Sequence, residues 1–299
     1  MARCQKPYYK EGVPCPCGKC EPCRTRHASG WSFRITKEAE QLGSAFFITL
    51  TYNPENVPMR YETKKDTKHT GYINTKRPTV DIYHLQKFMK RLKKGNLGKT
   101  IKYYGVSEYG TQTKRPHYHI IVMGMDIISF LGIENWKQVE LGKIQLDGKT
   151  PLNVKSWKLG HITVGQVTPA SVSYTLKYVS KGRLIPEYNG DDRQKEKSIM
   201  SKGIGLCYID ETTKKMHNND LLRQYLVTND SKKIAIPRYL KDRLYDHLER
   251  QIVSDIYANE ELLKRLKMGE HELLIHEKKI RQQPPNKTTK NSKGNKGIL

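Results

Sequence analysis

The feature that most constrains this chain is the run at residues 115–123, Arg-Pro-His-Tyr-His-Ile-Ile-Val-Met. It places His117 and His119 two residues apart, directly before an apolar stretch. Side chains two apart lie on the same face of a β-strand, so both imidazoles can reach one metal ion. A histidine pair in an apolar strand is more often structural than catalytic. The rest of the chain must therefore decide its meaning.

The charge balance indicates the kind of partner. The chain of 299 residues has 54 Lys and Arg against 30 Asp and Glu, a formal charge of +24. A basic field of this size is typical of proteins that bind nucleic acid; ribosome-associated and membrane-surface proteins are the alternatives. A mean hydropathy of −0.74 predicts that part of the chain is peripheral. We find no signal peptide or long apolar span, so we expect an intracellular protein with no membrane partner.

Five of the six cysteines fall within the first 23 residues. In an intracellular protein such crowding indicates metal binding rather than disulfides. Four thiolates suffice for a tetrahedral structural zinc site, with Cys4 or His27 as a replacement for one ligand. Reduced free thiols and an iron–sulfur cluster are the alternatives. The expected zinc ligands are Cys15, Cys17, Cys20 and Cys23.

Hydrophobic periodicity predicts the elements between and beyond these motifs. We expect helices over 24–42, 80–94 and 168–182, the last with Thr168 as its N-cap, and a long charged helical region over 237–282. Residues 125–158 are expected to be irregular, with Trp136 and Trp157 as packing anchors. Residues 53–80 are interpreted as a basic surface insertion, either a solvated loop or a DNA contact. Strands are expected at 45–51, 101–107, 117–123 and 160–165.

The helix predicted after residue 168 carries two tyrosines on one face. At about 100° per residue, Tyr174 and Tyr178 are roughly 40° apart, with Lys177 close to both. Val172 and Leu176 fall on the opposite, packing side. Paired tyrosines four residues apart are usually core residues, but neighbouring lysines favour a chemical role.

These features combine into a nucleophilic site. Two imidazoles and the carboxylate of Glu108 would leave open coordination positions on Mg²⁺ or Mn²⁺. Such an ion polarises a scissile phosphate. A phenol with a pKa near 10 is a poor nucleophile at neutral pH, and Lys177 would favour its phenolate. We therefore predict Tyr174, Tyr178 and Lys177 as catalytic residues that leave a 5′-phosphotyrosine and a free 3′-OH.

Three segments of the chain resemble the motifs of HUH endonucleases, in their usual order: residues 45–52, 115–119 and 174–178. The Tyr-x-x-x-Tyr form is similar to that of rolling-circle initiators with two nucleophiles. The segment 17–24, followed by Trp31, resembles initiators of microviruses of the gokushovirus type. The resemblance covers residues 15–182.

The resemblance implies an α+β fold with a central antiparallel sheet flanked by helices, together with a Cys-rich N-terminal arm and a helical C-terminal region. It implies nicking of the phage replicative form at its origin, then cleavage and rejoining that release circular single strands. The implied partners are single-stranded and supercoiled viral origin DNA and a host helicase and polymerase, in the cytoplasm of a bacterial host. The third metal ligand varies in the family, so His161 is the alternative to Glu108.

Four regions follow from this interpretation: a Cys-rich arm at 1–23, a nicking domain at 24–182, a mixed and helical region at 183–283, and a disordered basic tail at 284–299. The alternative function is a non-catalytic, zinc-containing DNA- or RNA-binding protein. A histidine phosphotransferase-type hydrolase would need a histidine at position 121, which is Ile121. A plasmid initiator, a relaxase and a single-tyrosine transposase are alternatives within the enzyme class.

Overall fold

The computed structural model describes residues 4–10, 13–65, 72–168, 171, 172, 174–176, 185–187, 190–267, 272, 274, 275 and 278. The chain forms two compact units, one of Met1–Arg34 with Gly205–Leu299 and one of Ile35–Ile204. Lys177, Tyr178 and the tail at 284–299 lie outside the described residues. The four regions expected from the sequence remain a prediction.

A six-stranded, fully antiparallel sheet is the centre of unit 35–204, in the order β10-β6-β7-β3-β9-β8. This arrangement, with helices beside the sheet, confirms the predicted α+β class. The strand that carries both histidines, β7, lies inside the sheet between β6 and β3. With strands numbered in chain order, the bounds are β3 Ala45–Thr51, β6 Lys102–Tyr109, β7 Pro116–Met123, β8 Leu152–Val154, β9 Trp157–Gln166 and β10 Ser198–Met200.

One face of this sheet is covered by helix α2, Ile82–Gly95. The helix begins where the Asp81 carboxylate accepts a hydrogen bond from the N–H of Tyr83, an N-cap that satisfies an otherwise unpaired donor. Its apolar side chains recur at three-to-four spacing and are buried against strand residues such as Ile120. These helix residues are Leu85, Phe88, Met89 and Leu92. Full burial of such a side chain stabilises the fold by about 1.5–3 kcal/mol.

The other face of the sheet carries the two histidines and a buried ion pair. Helix α1 extends over Glu21–Leu42 and its Glu38 is almost fully buried. Lys102 Nζ lies 2.7 Å from the Glu38 carboxylate and also donates to the carbonyl of Gly203. A buried carboxylate is tolerated only when it is paired in this way, so the two residues fix the end of β6.

Residues 125–158 are more regular than expected, and that prediction is wrong. They form helices α3, Ile127–Leu131, and α4, Ile133–Glu140, as well as strand β8. Helices of five and eight residues show too few turns for hydrophobic periodicity to reveal them. Trp157 is nearly fully buried, as predicted.

The basic insertion forms a two-stranded antiparallel hairpin outside the central sheet. Its strands are β4, Met59–Lys65, and β5, Tyr72–Pro78. Further along the chain, residues 171, 172 and 174–176 are helical and are called α5 here. The N–H of Ser171 donates to Thr168 Oγ1 at 3.1 Å, which confirms Thr168 as the N-cap.

The unit of residues 1–34 and 205–299 has its own small core, which includes Phe33, Leu226 and Leu240. The predicted long C-terminal helix is wrong as a single element, because the chain is extended at Tyr245. Asp246 then begins a new helix: its carboxylate accepts from the N–H of Glu249, whose carboxylate accepts from the N–H of Asp246. This capping box is visible in the sequence as Asp-x-x-Glu. The elements of this unit are β1 Tyr8–Lys10, β2 Val13–Cys15, α6 Glu211–Asn218, β11 Tyr225–Val227, β12 Lys233–Ala235, α7 Arg238–Leu244 and α8 His247–Leu266.

Within the described part of the chain, we find no helix with the length and apolar character needed to cross a membrane.

Candidate metal and nucleophile site

The register of three strands assembles the metal-binding group. On β6, Glu108 is paired directly with His117 of β7, and on β3, Thr49 is paired with His119. Residues two apart on β7 share a face, so both imidazoles point to the same side as the Glu108 carboxylate. The turn at residues 110–115 joins β6 to β7, so nine positions of sequence become one cross-strand contact.

The three side chains are close enough to share one cation. Glu108 Oε2 lies 3.2 Å from His117 Nε2 and 3.3 Å from His119 Nε2. One ligand atom from each residue lies within 4.8 Å of the others. Glu108 and His119 are buried and His117 is half-buried, so the group opens to solvent at His117.

The Nδ1 atoms of both imidazoles have hydrogen-bond partners of their own. His117 Nδ1 lies 3.2 Å from the carbonyl oxygen of Arg115, which can only accept, so this nitrogen carries the proton. His119 Nδ1 lies 3.0 Å from Thr49 Oγ1. Partners of this kind orient ligand rings in metalloproteins. For His117 the lone pair is therefore on Nε2, the atom that faces Glu108.

The electrostatics agree with ligand chemistry. Burial holds the pKa of His119 below its ordinary value, although the Glu108 carboxylate acts in the opposite direction. His119 is therefore neutral at neutral pH, the form that binds a metal ion. Two imidazoles and a carboxylate leave further positions open on a six-coordinate divalent ion, so these residues fit the metal that the sequence predicts.

Tyr174 on α5 lies against the metal-binding group. Its ring packs edge to face on His119, with 5.1 Å between the ring centroids, and in the same way on Phe47 at 6.4 Å. Phe47 in turn stacks on the His119 ring. Tyr174 remains 42% exposed, whereas Val172 and Leu176 of the same helix are buried. The predicted division of this helix into a packing face and an open tyrosine face is thus found for the described residues.

The remaining predicted residues of this site fall into two groups. Lys177 and Tyr178 lie outside the described residues. His161, the alternative metal ligand, is exposed on β9, and its Nδ1 lies 3.0 Å from Asn153 Oδ1. His161 is not part of the group formed by Glu108 and the two histidines.

A second group of possible metal ligands lies at the N-terminus. The sulfur atoms of Cys4, Cys17, Cys20 and Cys23 lie within 4.8 Å of one another. Cys17 and Cys20 flank a turn in which Gly18 has a φ of +71°, a value that glycine adopts without strain. Cys23 is buried in the first turn of α1. Four sulfur atoms at this spacing fit a tetrahedral zinc ion, which binds each sulfur at about 2.3 Å.

Backbone N–H groups support this cysteine group. The N–H groups of Cys20 and Lys19 lie 3.3 and 3.4 Å from Cys17 Sγ, and together they lower the pKa of Cys17 to about 6. The N–H of Cys17 itself donates to Cys4 Sγ at 3.3 Å. Burial raises the pKa of Cys23 to about 12. Cys23 would therefore stay protonated unless a cation stabilised its thiolate.

The set of four cysteines differs from the predicted set at one position. Cys4 belongs to the group and Cys15 does not, nor does the other expected replacement, His27. Cys15 is paired with Tyr8 at the end of the β1–β2 hairpin, and the hairpin brings Cys4 back to the Cys17–Cys20 turn. Spacing alone favours the four closest cysteines and does not show this return of the chain.

Sequence reasoning also missed the residues that surround His119. Thr49 and Phe47 lie in a strand that was interpreted only as buried structure. Their alternation with Ile48 and Leu50 is visible in the sequence, and it places the two on one face. Which strand they pair with, and in what register, is fixed only by the folded sheet.

Comparison with known proteins agrees with this geometry. A family model for replication-associated proteins of the ORF2 type matches residues 45–183, which contain Glu108, both histidines and Tyr174. Replication-associated protein ORF2 of Spiroplasma virus 4 is 30% identical over 266 residues, covering 86% of this chain and 75% of that protein. The chain belongs to this family of replication-associated proteins.

Two further relatives of this replication-associated protein are also from phages. ORF4 of Chlamydia phage 1 is 27% identical over 262 residues, or 81% of this chain and 55% of its own length. VP4 of Bdellovibrio phage phiMH2K is 27% identical over 238 residues, or 76% and 66%. The chain thus spans little more than half of the Chlamydia phage protein. The resemblance to microvirus initiators is confirmed at the level of the family. No solved structure matches the chain.

Proposed function

We propose that this replication-associated protein is a metal-dependent DNA endonuclease and strand transferase that opens a phage origin by tyrosine transesterification. The observation that carries the proposal is the contact between Tyr174 and His119. A half-exposed phenol lies against one imidazole of a group that can hold a divalent cation. A nucleophile and an electrophilic centre are thereby placed side by side on an open face of the sheet.

The reaction needs little beyond this pair of features. The Tyr174 phenolate attacks the phosphorus atom, an O–P bond to the tyrosine forms, and the bond between phosphorus and the 3′-oxygen breaks. Solvent accepts the phenol proton, and the released 3′-oxygen takes up a proton from solvent. A bound divalent metal ion supplies charge neutralisation and polarisation of the scissile phosphate. The 3′-OH is then free to prime rolling-circle synthesis.

Tyr178 and Lys177 complete the proposal from the sequence alone. Tyr178 lies one helical turn after Tyr174 in a continuous helix, so it would present a second phenol on the same face. It would attack the regenerated origin after one round of synthesis, and the first 3′-OH would rejoin the strand as a circle. Lys177 would stabilise the phenolate next to it.

The donor atoms favour Mn²⁺ over Mg²⁺ at the first group. Imidazole nitrogen suits transition metals, whereas Mg²⁺ prefers oxygen ligands, and two of the three donors here are imidazoles. At the N-terminal group, four thiolates favour zinc in a closed structural site. We assign zinc to Cys4, Cys17, Cys20 and Cys23.

The partner that fits this protein is viral origin DNA, both as a single strand and in the supercoiled replicative form. A net charge of +24 favours a polyanionic substrate. After the nick, extension of the 3′-OH requires a helicase and a polymerase, which the bacterial host would supply in its cytoplasm.

The test is a nicking assay on labelled single-stranded oligonucleotides that tile the phage genome, with Mn²⁺. The expected product is a protein–DNA adduct that resists SDS and does not form with EDTA. His117→Ala/His119→Ala should form none, and the matched control His161→Ala should react normally, because His161 lies outside the metal-binding group. Tight DNA binding without an adduct in the unmodified protein would overturn the proposal and support the non-catalytic alternative.

A further inference from the structure

The β4–β5 hairpin protrudes from the sheet that carries the metal-binding group. Seven residues of β4 pair with seven of β5, from Met59 opposite Pro78 to Lys65 opposite Tyr72. At about 3.4 Å per residue the ribbon is roughly 20 Å long. It belongs to a two-stranded sheet of its own and makes no strand pairing with the six-stranded sheet.

Both faces of this ribbon are open at its described positions. Arg60 and Arg77 are directly opposite each other on one face, and Tyr61 and Lys76 are opposite each other on the other face. All four side chains are exposed. Lys76 Nζ lies 5.7 Å from the centre of the Tyr61 ring. A ribbon that carries cations on both faces does not have the pattern of a strand pair that packs on a protein core.

The sequence of the ribbon is also strongly basic. Residues 59–78 contain six lysines and arginines against two acidic residues, Glu62 and Asp66. Like charges directly opposite each other destabilise a strand pair, so the facing arginines cost folding free energy unless an anion lies beside them. The basic residues are Arg60, Lys64, Lys65, Lys68, Lys76 and Arg77.

The base of the ribbon is joined to the metal-binding strand. The N–H of Thr79 donates to the carbonyl of Pro58 at 2.8 Å and closes the ribbon. The buried Tyr109 hydroxyl lies 3.1 Å from Thr79 Oγ1, accepts from the N–H of Val80 and donates to the carbonyl of Gln194. Tyr109 directly follows Glu108 on β6. The ribbon is therefore anchored at the end of the sheet where the metal-binding group opens.

We infer that the β4–β5 ribbon binds duplex DNA next to the nicking site, by insertion into a groove. A major groove about 12 Å wide admits a two-stranded ribbon and has phosphates along both walls. Arginines on one face and a lysine on the other can reach the two walls at once. A platform for single strands needs only one open face with stacked aromatic residues, and here both faces are basic.

This inference deepens the proposed function, on which it rests only for the position of the nick. It divides the substrate between two parts of one unit: the sheet face with Tyr174 receives the strand to be cut, and the ribbon holds the flanking duplex. Anchorage through Tyr109 would keep the two at a fixed separation.

The test compares DNA binding by the full chain and its variants, measured by fluorescence anisotropy in EDTA so that no cleavage occurs. The probes are a labelled duplex of about 30 base pairs, or roughly three helical turns, and the matching single strand. The ribbon variant is Arg60→Gln/Arg77→Gln. The matched control is Lys90→Gln/Lys94→Gln, which removes two exposed charges from α2 at the other end of the sheet.

The ribbon variant should bind the duplex about tenfold more weakly and lower the slope of log K against log salt by about two, one for each lost phosphate contact. Its affinity for the single strand should stay within about twofold of the unmodified protein, since the inference places no single strand on the ribbon. The control should change duplex affinity far less.

A duplex loss no larger than that of the control would overturn the inference, and so would an equal loss for the single strand. Lys76→Gln serves as a second variant if the double variant has a lowered thermal midpoint. Because binding is read without cleavage, an absence of nicking in the unmodified protein would not decide this comparison. The two proposals therefore fail separately.

Discussion

Glu108 and His117 are directly opposite each other on neighbouring antiparallel strands, with 3.2 Å between Oε2 and Nε2. The same carboxylate oxygen lies 3.3 Å from His119 Nε2. A single register therefore sets the whole metal-binding group. A slip of one residue between β6 and β7 would move Glu108 to the other face of the sheet and destroy the group.

Thr49 should control metal affinity without binding the metal. Its hydroxyl lies 3.0 Å from His119 Nδ1 and orients that ring. Thr49→Val keeps the shape of the side chain and removes the contact, so the Mn²⁺ concentration for half-maximal adduct formation should rise about 10–100-fold.

The control for this change is Thr51→Val, whose hydroxyl donates to the backbone carbonyl of His161 and not to a ligand ring. Equal effects of the two substitutions would show that the His119 contact has no special role.

The four-cysteine group predicts a contrast between two neighbouring positions. Cys4→Ser should lose bound zinc, because Cys4 is one of the four sulfur ligands, whereas Cys15→Ser should keep it. Zinc per chain, measured by atomic emission on protein purified without chelator, decides this. Retention of zinc by Cys4→Ser together with its loss in Cys15→Ser would restore the ligand set expected from the sequence.

Tyr118 should be a major contributor to stability on the helix-covered face. Its fully buried hydroxyl lies 2.6 Å from that of Tyr52, accepts from the N–H of Asp81 and donates to the carbonyl of Asp81. Tyr118→Phe leaves these partners unsatisfied, which should cost about 1–3 kcal/mol of unfolding free energy. A urea titration measures it.

Tyr103→Phe is the matched control, because the Tyr103 hydroxyl makes no hydrogen bond among the described residues. It should change the urea midpoint by much less. Similar midpoints for the two variants would contradict the assigned role of the Tyr118 hydroxyl.

His217 should make the stability of the protein depend on pH. It is fully buried, with its ring nitrogens 3.0 and 3.1 Å from the hydroxyls of Tyr208 and Tyr245. Burial lowers its pKa, and the charge of Arg223 acts the same way, while Asp220 opposes both.

Because the folded pKa of His217 lies below the ordinary value of 6.5, the unfolded chain takes up the proton first as the pH falls. The contribution to stability is complete above about pH 6.5 and decreases below it. The thermal midpoint of the unmodified protein should therefore fall more steeply between pH 7 and pH 5 than that of His217→Asn. Parallel pH profiles would contradict this prediction.

The sequence predicted those parts of the fold that depend on local patterns. Strand β3 was predicted with its observed bounds, because its aromatic and β-branched residues are bounded by Gly43-Ser44 and by Asn53-Pro54. Glu108, His117 and His119 could be chosen because their chemistry is distinctive. What escaped were features set by tertiary contacts: the exchange of Cys15 for Cys4 and the place of Thr49 beside His119. The short helices α3 and α4 escaped because two turns carry too little periodicity.

The most direct test of the central claim is the identity of the residue that carries DNA after cleavage. The adduct formed on a labelled origin oligonucleotide should, after proteolysis and mass spectrometry, contain phosphate on the peptide with Tyr174 and Tyr178. Tyr174→Phe/Tyr178→Phe should form no adduct, while each single change should leave partial or step-specific activity. An adduct of unchanged yield in the double variant would contradict the claim that these tyrosines are the nucleophiles.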